Sequence, residues 1–331
     1  MTEFELIQRY FTRAPRRALV GVGDDCAVLQ PAAGMHLAVS SDMLVSGRHF
    51  FPDAEPAALG HKALAVNLSD LAACGARPLA FTLALALPHA DAAWLEPFAR
   101  GLLELADLHD CELIGGDTTR GPLTLCITVF GEVPPGQALL RSGAQPGDDV
   151  YVSGTLGDAA LALLARQGEL QLPEAWLQAA ALRMDRPTPR VALGLALRGV
   201  ASAAADVSDG LLADLGHILE RSGVGARIDC RSAAALLACD DAQLNPDTAL
   251  RCVLAGGDDY ELVFCAAPAQ RARVQAAAQA SATTVRCIGS IETQRGVRVV
   301  DADGRAIAQV WSGFDHFVNA RPDPGEPGAS P

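Results

Sequence analysis

The sequence predicts a mixed α/β fold, of the α/β or α+β kind, in two domains, and three observations point to it. Apolar segments of strand length alternate with segments of helical spacing along the whole chain. Turn-forming residues, Pro134-Pro135-Gly136 and then Gln145-Pro146-Gly147-Asp148, interrupt that alternation near its middle. A chain of 331 residues, half of them hydrophobic, is long enough for two ordinary cores. The boundary falls at residue 146, giving domains over residues 1–146 and 147–319. Residues 320–331, Ala-Arg-Pro-Asp-Pro-Gly-Glu-Pro-Gly-Ala-Ser-Pro, lack any large apolar side chain to offset the entropy of ordering and read as a disordered tail.

In the first domain, Phe4, Ile7 and Phe11 predict a helix from Glu3 to Arg13, and Ala18 to Val22 reads as a short strand leading into Gly23-Asp24-Asp25. A strand from Met35 delivers Ser40-Ser41-Asp42. Pro56 suits the first turn of a helix that runs to Cys74, where Gly75 stops it. Asn67 and Asp70, three apart, share one face of that helix. Strand 78–87, helix 90–109, strand 112–114 ending at Gly115-Gly116-Asp117, and strand 123–133 follow. The second domain opens with strand 149–153, and Gly154-Thr155-Leu156-Gly157 starts a helix through Arg166. Helices at 173–184 and 189–199 precede strand 203–207, which runs into Ser208-Asp209-Gly210 and a helix to Arg221. Strands at 226–230 and 260–266, a helix at 268–280, and strands at 284–290 and 296–301 complete it. Ligands of open α/β sheets sit at strand ends such as these.

Composition excludes several classes of function. A formal net charge of -13 offers no cationic face to a nucleic-acid backbone. The apolar runs are too short to span a bilayer, and Met1-Thr2-Glu3-Phe4 opens on acid, so a soluble, cytoplasmic protein is expected. Nine scattered cysteines without a Cys-x-x-Cys pair support neither a zinc site nor a disulfide framework. Cys26, directly after the first acidic loop, is the one candidate thiol nucleophile, with no histidine evident beside it. Lys62 is the only lysine, and its setting, Leu59-Gly60-His61-Lys62-Ala63-Leu64, matches neither a Walker motif nor a protein-kinase strand lysine.

Six stretches set aspartate beside glycine, serine, threonine or asparagine: Gly23-Asp24-Asp25, Ser40-Ser41-Asp42, Asn67-Leu68-Ser69-Asp70, Gly115-Gly116-Asp117-Thr118, Asp206-Val207-Ser208-Asp209-Gly210 and Gly256-Gly257-Asp258-Asp259. Singly, each reads as a turn or a helix cap. Jointly they are a donor set for magnesium, which prefers carboxylates, hydroxyls and phosphate oxygens and bridges protein carboxylates to a bound phosphate. Asp70 lies in an apolar helical run and needs a partner, for which a cation is suited. With almost no lysine, metal ions would neutralise the phosphates of a bound nucleotide. Arg141 is either an ordinary surface residue or a planar clamp for phosphate. His49 reads as a loop histidine, and Trp94, Trp176 and Trp311 as packing groups.

Taken in order, Gly21-Val22-Gly23-Asp24-Asp25-Cys26-Ala27, Ser40-Ser41-Asp42, the run from Lys62 to Ala72, Gly115-Gly116-Asp117-Thr118-Thr119, Asp206-Val207-Ser208-Asp209-Gly210-Leu211, Gly256-Gly257-Asp258-Asp259-Tyr260-Glu261-Leu262 and Gly313-Phe314-Asp315-His316-Phe317 resemble the thiamine-monophosphate kinases. These belong to the aminoimidazole ribonucleotide synthetase-like superfamily. The resemblance runs from about Phe4 to Phe317. It implies a two-domain fold whose N-terminal domain pairs across a homodimer into a β-barrel, with the active site between domains. It implies ATP-dependent phosphorylation of thiamine monophosphate to thiamine diphosphate by direct in-line transfer. Position by position, Asp25, Ser40, Ser41, Asp42, Asp70, Asp117, Asp206 and Asp209 would hold several Mg2+ ions, with Gly116, Asp117, Arg141 and Ser208 on ATP. His49, Asp258 and Phe314 would contact thiamine monophosphate; the family often carries Glu at the first acid here and Tyr or Trp at the aromatic. His109 stands where an aromatic residue near the nucleotide is common. No side-chain general base is assigned, since the incoming phosphate oxygen is already anionic. The alternatives are another ATP-dependent synthetase of the same superfamily and a non-catalytic nucleotide or Mg2+ sensor.

Overall fold

The computed structural model describes residues 2–239 and 244–308. The expected tail and the expected substrate contact at Phe314 lie outside those residues. The first helix, α1 (Glu3–Tyr10), starts on a capping box: Thr2 Oγ1 accepts from Glu5 N–H while the Glu5 carboxylate accepts from Thr2 N–H. Strand β1 (His36–Val45), helix α2 (Pro56–Ala73), strand β2 (Arg77–Leu87), helix α3 (Ala92–Leu108) and strands β3 (Glu112–Arg120) and β4 (Thr124–Val133) follow. They form one sheet in the order β1-β4-β2-β3, antiparallel except for β2 with β3.

The second half contributes β5 (Asp149–Ser153), α4 (Asp158–Arg166), α5 (Glu174–Asp185), α6 (Val191–Ala196), β6 (Ala203–Val207), α7 (Leu211–Ser222), β7 (Gly225–Asp229), α8 (Cys230–Ala234), α9 (Pro246–Ala255), β8 (Glu261–Ala266), α10 (Arg271–Ala280), β9 (Val285–Glu292) and β10 (Gly296–Val300). Its sheet runs β10-β7-β9-β5-β8-β6, parallel only between β10 and β7. Short α8 and α9 were not expected from sequence; α9 starts on Asn245, whose side chain accepts from Asp247 N–H, with Pro246 in its first turn.

Three expectations change. Ala18 to Val22 is not a strand but makes isolated bridges only, Val20 with Val28 and Val22 with Asp24. The preceding N–H groups find a carboxylate instead of a neighbouring strand: Glu112 accepts from Arg17 N at 2.9 Å and Ala18 N at 3.0 Å. Ser40-Ser41-Asp42 lies within β1 and not after it, paired with Val129, Thr128 and Ile127 of β4. Gly115-Gly116-Asp117 likewise lies inside β3, which continues to Arg120 alongside β2. Gly116 permits this because any Cβ there would fall 1.8 Å from the Leu83 carbonyl oxygen.

Helix α2 is the spine of the molecule. Glu55 caps its first turn, its carboxylate accepting from Ala57 N and Ala58 N at 2.9 and 2.7 Å. Fourteen of its eighteen residues are buried, so it has almost no solvent face. The largest core cluster joins both sheets through it, taking in Leu64, Leu68, Phe81 and Phe98 together with Tyr151, Leu262 and Phe264. The α2–α3 crossing is close enough to exclude methyl groups, since a Cβ on Gly60 would lie 2.1 Å from Phe98 O and one on Gly101 would lie 1.9 Å from Ala57 O. Gly216, inside α7 with nothing within 4 Å of its added Cβ, is the contrast. Gly60→Ala is expected to lower unfolding free energy by about 2 kcal/mol or more through overpacking. Gly216→Ala should raise it by about 0.5–1 kcal/mol through helix propensity. Urea titrations of both variants check the pair, and equal shifts would refute the close crossing.

Candidate active site

A cleft of about 790 Å³ opens between the two sheets, lined from one side by β1, α2 and the loop from Gly47 to Pro52, and from the other by α4, α5, β6 and residues 255–260. Lys62, Val66 and Asp70, spaced by four along α2, all face it. The loop is fastened to the second half by Arg166, whose guanidinium stacks 4.1 Å over the Phe51 ring and reaches Asp53 at 3.1 Å.

Four acids from three elements meet in the cleft: Asp42 on β1, Asp70 on α2, and Asp206 and Asp209 at the end of β6. Each is held by a polar neighbour. Asn67 Oδ1 accepts from Asp42 N at 3.0 Å, Ser40 Oγ donates to Asp70, and Ser69 Oγ donates to Asp206 at 2.9 Å. Beneath them, buried Asp214 accepts from Ser208 N and Asp209 N at 3.0 and 3.1 Å and so shapes the β6–α7 loop. Burial, and then the Asp70 charge with its hydrogen bond, pushes the Asp42 carboxyl up to about 6. Burial raises Asp70 as well, with Ser40 and the Arg141 charge opposing it. Asp206 is pushed up to about 8 by burial first and Asp70 second, and Asp214 to about 7 by burial and the Asp209 charge. These are carboxylates crowded beyond what the local cations neutralise.

The Gly256-Gly257-Asp258-Asp259-Tyr260-Glu261 run divides its acids between cleft and interior. Asp258 and Tyr260 line the cleft, both at positive φ, +72° and +52°. Asp258 forms an ion pair with Lys62, and its N–H donates to Ser208 O at 2.8 Å. Gly257 is required because a Cβ there would lie 2.2 Å from the same carbonyl. Asp259 is buried and accepts from Gly157 N at 2.8 Å at the start of α4, while Glu261, wholly buried, accepts from Ser153 Oγ at 2.6 Å and pairs with Arg183 and Arg190. Those two acids are structural.

Of the residues singled out in sequence, the cleft therefore gathers Asp42, His49, Asp70, Asp206, Ser208, Asp209 and Asp258, with Ser40 touching Asp70. His49 Nδ1 accepts from Val45 N at 3.0 Å, which leaves the neutral ring's proton on Nε2. Arg141 is exposed, and its charge lowers both Asp70 and Asp214. Ser41 turns away, bonding to Ile127 O and Thr128 Oγ1 of β4. Asp25, Gly116 and Asp117 are exposed and do not line the cleft. β1 and β3 are opposite edges of their sheet, three strand spacings apart, so Asp117 is about 14 Å from the β1 edge. Cys26 is exposed outside the cleft, and His109 caps α3 away from it. Among the described residues, no group of three or more His, Cys, Asp or Glu side chains converges on a point suited to a metal ion. Sequence reasoning used Lys62 as an exclusion and, like Tyr260, as part of a matching run, and gave neither a role. The available signal was a lone lysine in an apolar helical run, two turns before Asp70 on the same face.

An acid-lined cleft between a four-stranded and a six-stranded sheet, bridged by one buried helix, defines the class: family models for AIR synthase related protein match here, the N-terminal domain over residues 23–133 and the C-terminal domain over residues 145–302. Within that class the chain belongs to the thiamine-monophosphate kinases, and it is a kinase. It is 47% identical over 323 residues to the thiamine-monophosphate kinase of Escherichia coli strain K12, covering 96% of this chain and 98% of that one. The crystal structure of thiamine-monophosphate kinase from Stenotrophomonas maltophilia K279a superposes with a TM-score of 0.82 at 50% identity, covering 92% of this chain and 96% of that one. A structure of AaThiL complexed with AMPPCP and TMP gives 0.74 at 30% identity, covering 87% and 89%. The fold is thus the two-domain mixed α/β fold of that class.

Asp206 carries a testable pH dependence. Its folded carboxyl binds a proton more tightly than the ordinary value of 3.8, so its contribution favours the fold at low pH and is lost as pH rises from 3.8 towards about 8. Asp206→Asn keeps an acceptor for Ser69 and removes that slope. In metal-free thermal denaturation, the variant should gain on wild type steadily from about pH 5 to about pH 8. A constant offset would contradict the assignment.

Proposed function

We propose that the cleft transfers the γ-phosphoryl group of ATP to thiamine monophosphate, giving thiamine diphosphate and ADP. A terminal phosphate oxygen of thiamine monophosphate forms the new P–O bond in line with the breaking bond to the ADP oxygen. No proton needs to be removed first, so alignment and charge neutralisation carry the rate. The observation that carries this reading is the meeting of Asp42, Asp70, Asp206 and Asp209 in a cleft that also holds His49 and the Lys62–Asp258 pair. The relative bound to AMPPCP and TMP supports the same pair of ligands.

The chemistry of the donor set suits Mg2+: burial first and neighbouring charge second raise the proton affinity of these carboxylates, and polyphosphate oxygens would complete a coordination that the side chains do not close by themselves. We assign Asp42, Asp70, Asp206 and Asp209 in the cleft, with Ser40, to metal, and Asp25, Ser41 and Asp117 to metal outside the lined space; Ser208 in the cleft and Gly116, Asp117 and Arg141 outside it go to ATP, and His49, Asp258 and Phe314 to thiamine monophosphate. Bound Mg2+ would neutralise the transferring phosphoryl group, a task that elsewhere often falls to lysine. The division at residue 146 then gives metal and nucleotide residues to both halves, Asp42 and Asp70 before it and Asp206, Ser208 and Asp209 after it.

A homodimer is part of this reading. β1 is an edge strand, and Leu37, Val39 and Met43 alternate along it with exposures of 47, 55 and 56%. Such an apolar edge invites pairing, and a barrel across two copies would cover it. No helix among the described residues is long and apolar enough to cross a membrane. A cytoplasmic setting suits a nucleotide-dependent reaction.

Incubating purified protein with ATP, Mg2+ and thiamine monophosphate should yield thiamine diphosphate by chromatography. Asp70→Asn should fold normally and lose about a hundredfold or more in rate. Product no greater than that of an Asp209→Asn control would sink the kinase reading. Val39→Lys should shift the protein from dimer to monomer in light scattering; a monomeric wild type would remove the barrel.

A further inference from the structure

Lys62 is the chain's single lysine, it is 4% exposed in the middle of α2, and its ammonium faces the interdomain cleft. A buried ammonium is costly unless paired. Here Nζ donates to the Met184 carbonyl at 2.9 Å and forms an ion pair with Asp258, reaching across to the other sheet's loops. Asp185 feels the same cation, whose charge opposes the rise that burial imposes on its carboxyl. Asp70 lies eight residues further along α2, about 12 Å at the helical rise, so the helix sets the Lys62–Asp258 pair apart from the Asp42–Asp70 acids.

We propose that Lys62 is a positioning residue: it fixes the Asp258 carboxylate in the cleft and, as a built-in cation, reserves that acid for the organic substrate instead of a metal ion. This rests on the assignment of Asp258 to thiamine monophosphate above. The left-handed backbone at Asp258 and its N–H bond to Ser208 fix the Cα, and Lys62, with the Tyr260 side chain facing the same carboxylate, fixes the carboxylate. Lysine suits the position because a compact ammonium engages one carboxylate oxygen where a forked guanidinium would engage both.

The test uses full-length protein and kinetics for both substrates. Lys62→Met should raise KM for thiamine monophosphate by about tenfold or more, the size of a lost charge-assisted hydrogen bond. KM for ATP and kcat should stay within about twofold. Lys62→Met/Asp258→Asn should be no worse than the poorer single variant, because the two act as a unit. Equal losses towards both substrates, or losses that multiply in the double variant, would overturn the proposal. A second measurement does not depend on Lys62→Met folding. With one lysine, 15N-lysine labelling gives a single side-chain signal, which should shift with thiamine monophosphate and with Asp258→Asn but not with an ATP analogue. A protein that makes thiamine diphosphate while this signal ignores thiamine monophosphate would overturn the positioning role alone. One that makes none while the signal still responds would sink the kinase reading and support the role of Lys62.

Discussion

Burying polar groups along α2 is the constraint from which the rest of this structure follows. A helix with almost no solvent face must satisfy each polar side chain it carries, and four of them do so on three segments outside it. Lys62 reaches Asp258, Asn67 receives the Asp42 N–H, Ser69 donates to Asp206, and Asp70 receives Ser40 Oγ. The partners lie on β1 in one sheet and at the ends of β6 and β8 in the other. The contacts that remove the penalty of burial are therefore the contacts that bring two halves of the chain to one cleft.

Much of the fold was legible because its periodicities are clean. Helix α2 begins at Pro56 as read and ends at Ala73, one residue short of the expected Cys74, and the edge between helix and strand at residues 87–92 and 108–112 falls within a few residues of the expectation. Two of the departures share a cause. Ser-Ser-Asp and Gly-Gly-Asp stretches read as turns because those residues favour them, yet in β1 and β3 the ladder overrides local preference. The segment 18–22 departs in the opposite sense: it reads as a short strand, but a carboxylate far along the chain, Glu112, takes the hydrogen bonds of the residues entering it.

Site residues were legible where a charge sat in an apolar run. Asp70 stands out on that ground, and it lines the cleft. The same ground applied to Lys62, whose importance was obscured by the search for named lysine motifs. Of the four consecutive residues after Gly257, the resemblance singles out Asp258 alone; in the structure Asp258 and Tyr260 face the cleft while Asp259 and Glu261 point into hydrogen bonds and ion pairs inside the second half. Asp258 and Tyr260 both stand at positive φ, which no composition rule signals in non-glycine residues.

The buried position of the chain's single lysine also determines how the protein presents itself to proteolysis. A protease that cuts only after lysine has one peptide bond to attack, between Lys62 and Ala63, and that bond lies in the middle of the most enclosed helix. Cleavage there cannot proceed by fraying of an end or opening of a surface loop. It requires α2 to leave both sheets, so the rate at which such an enzyme splits the chain reports the opening of the shared core.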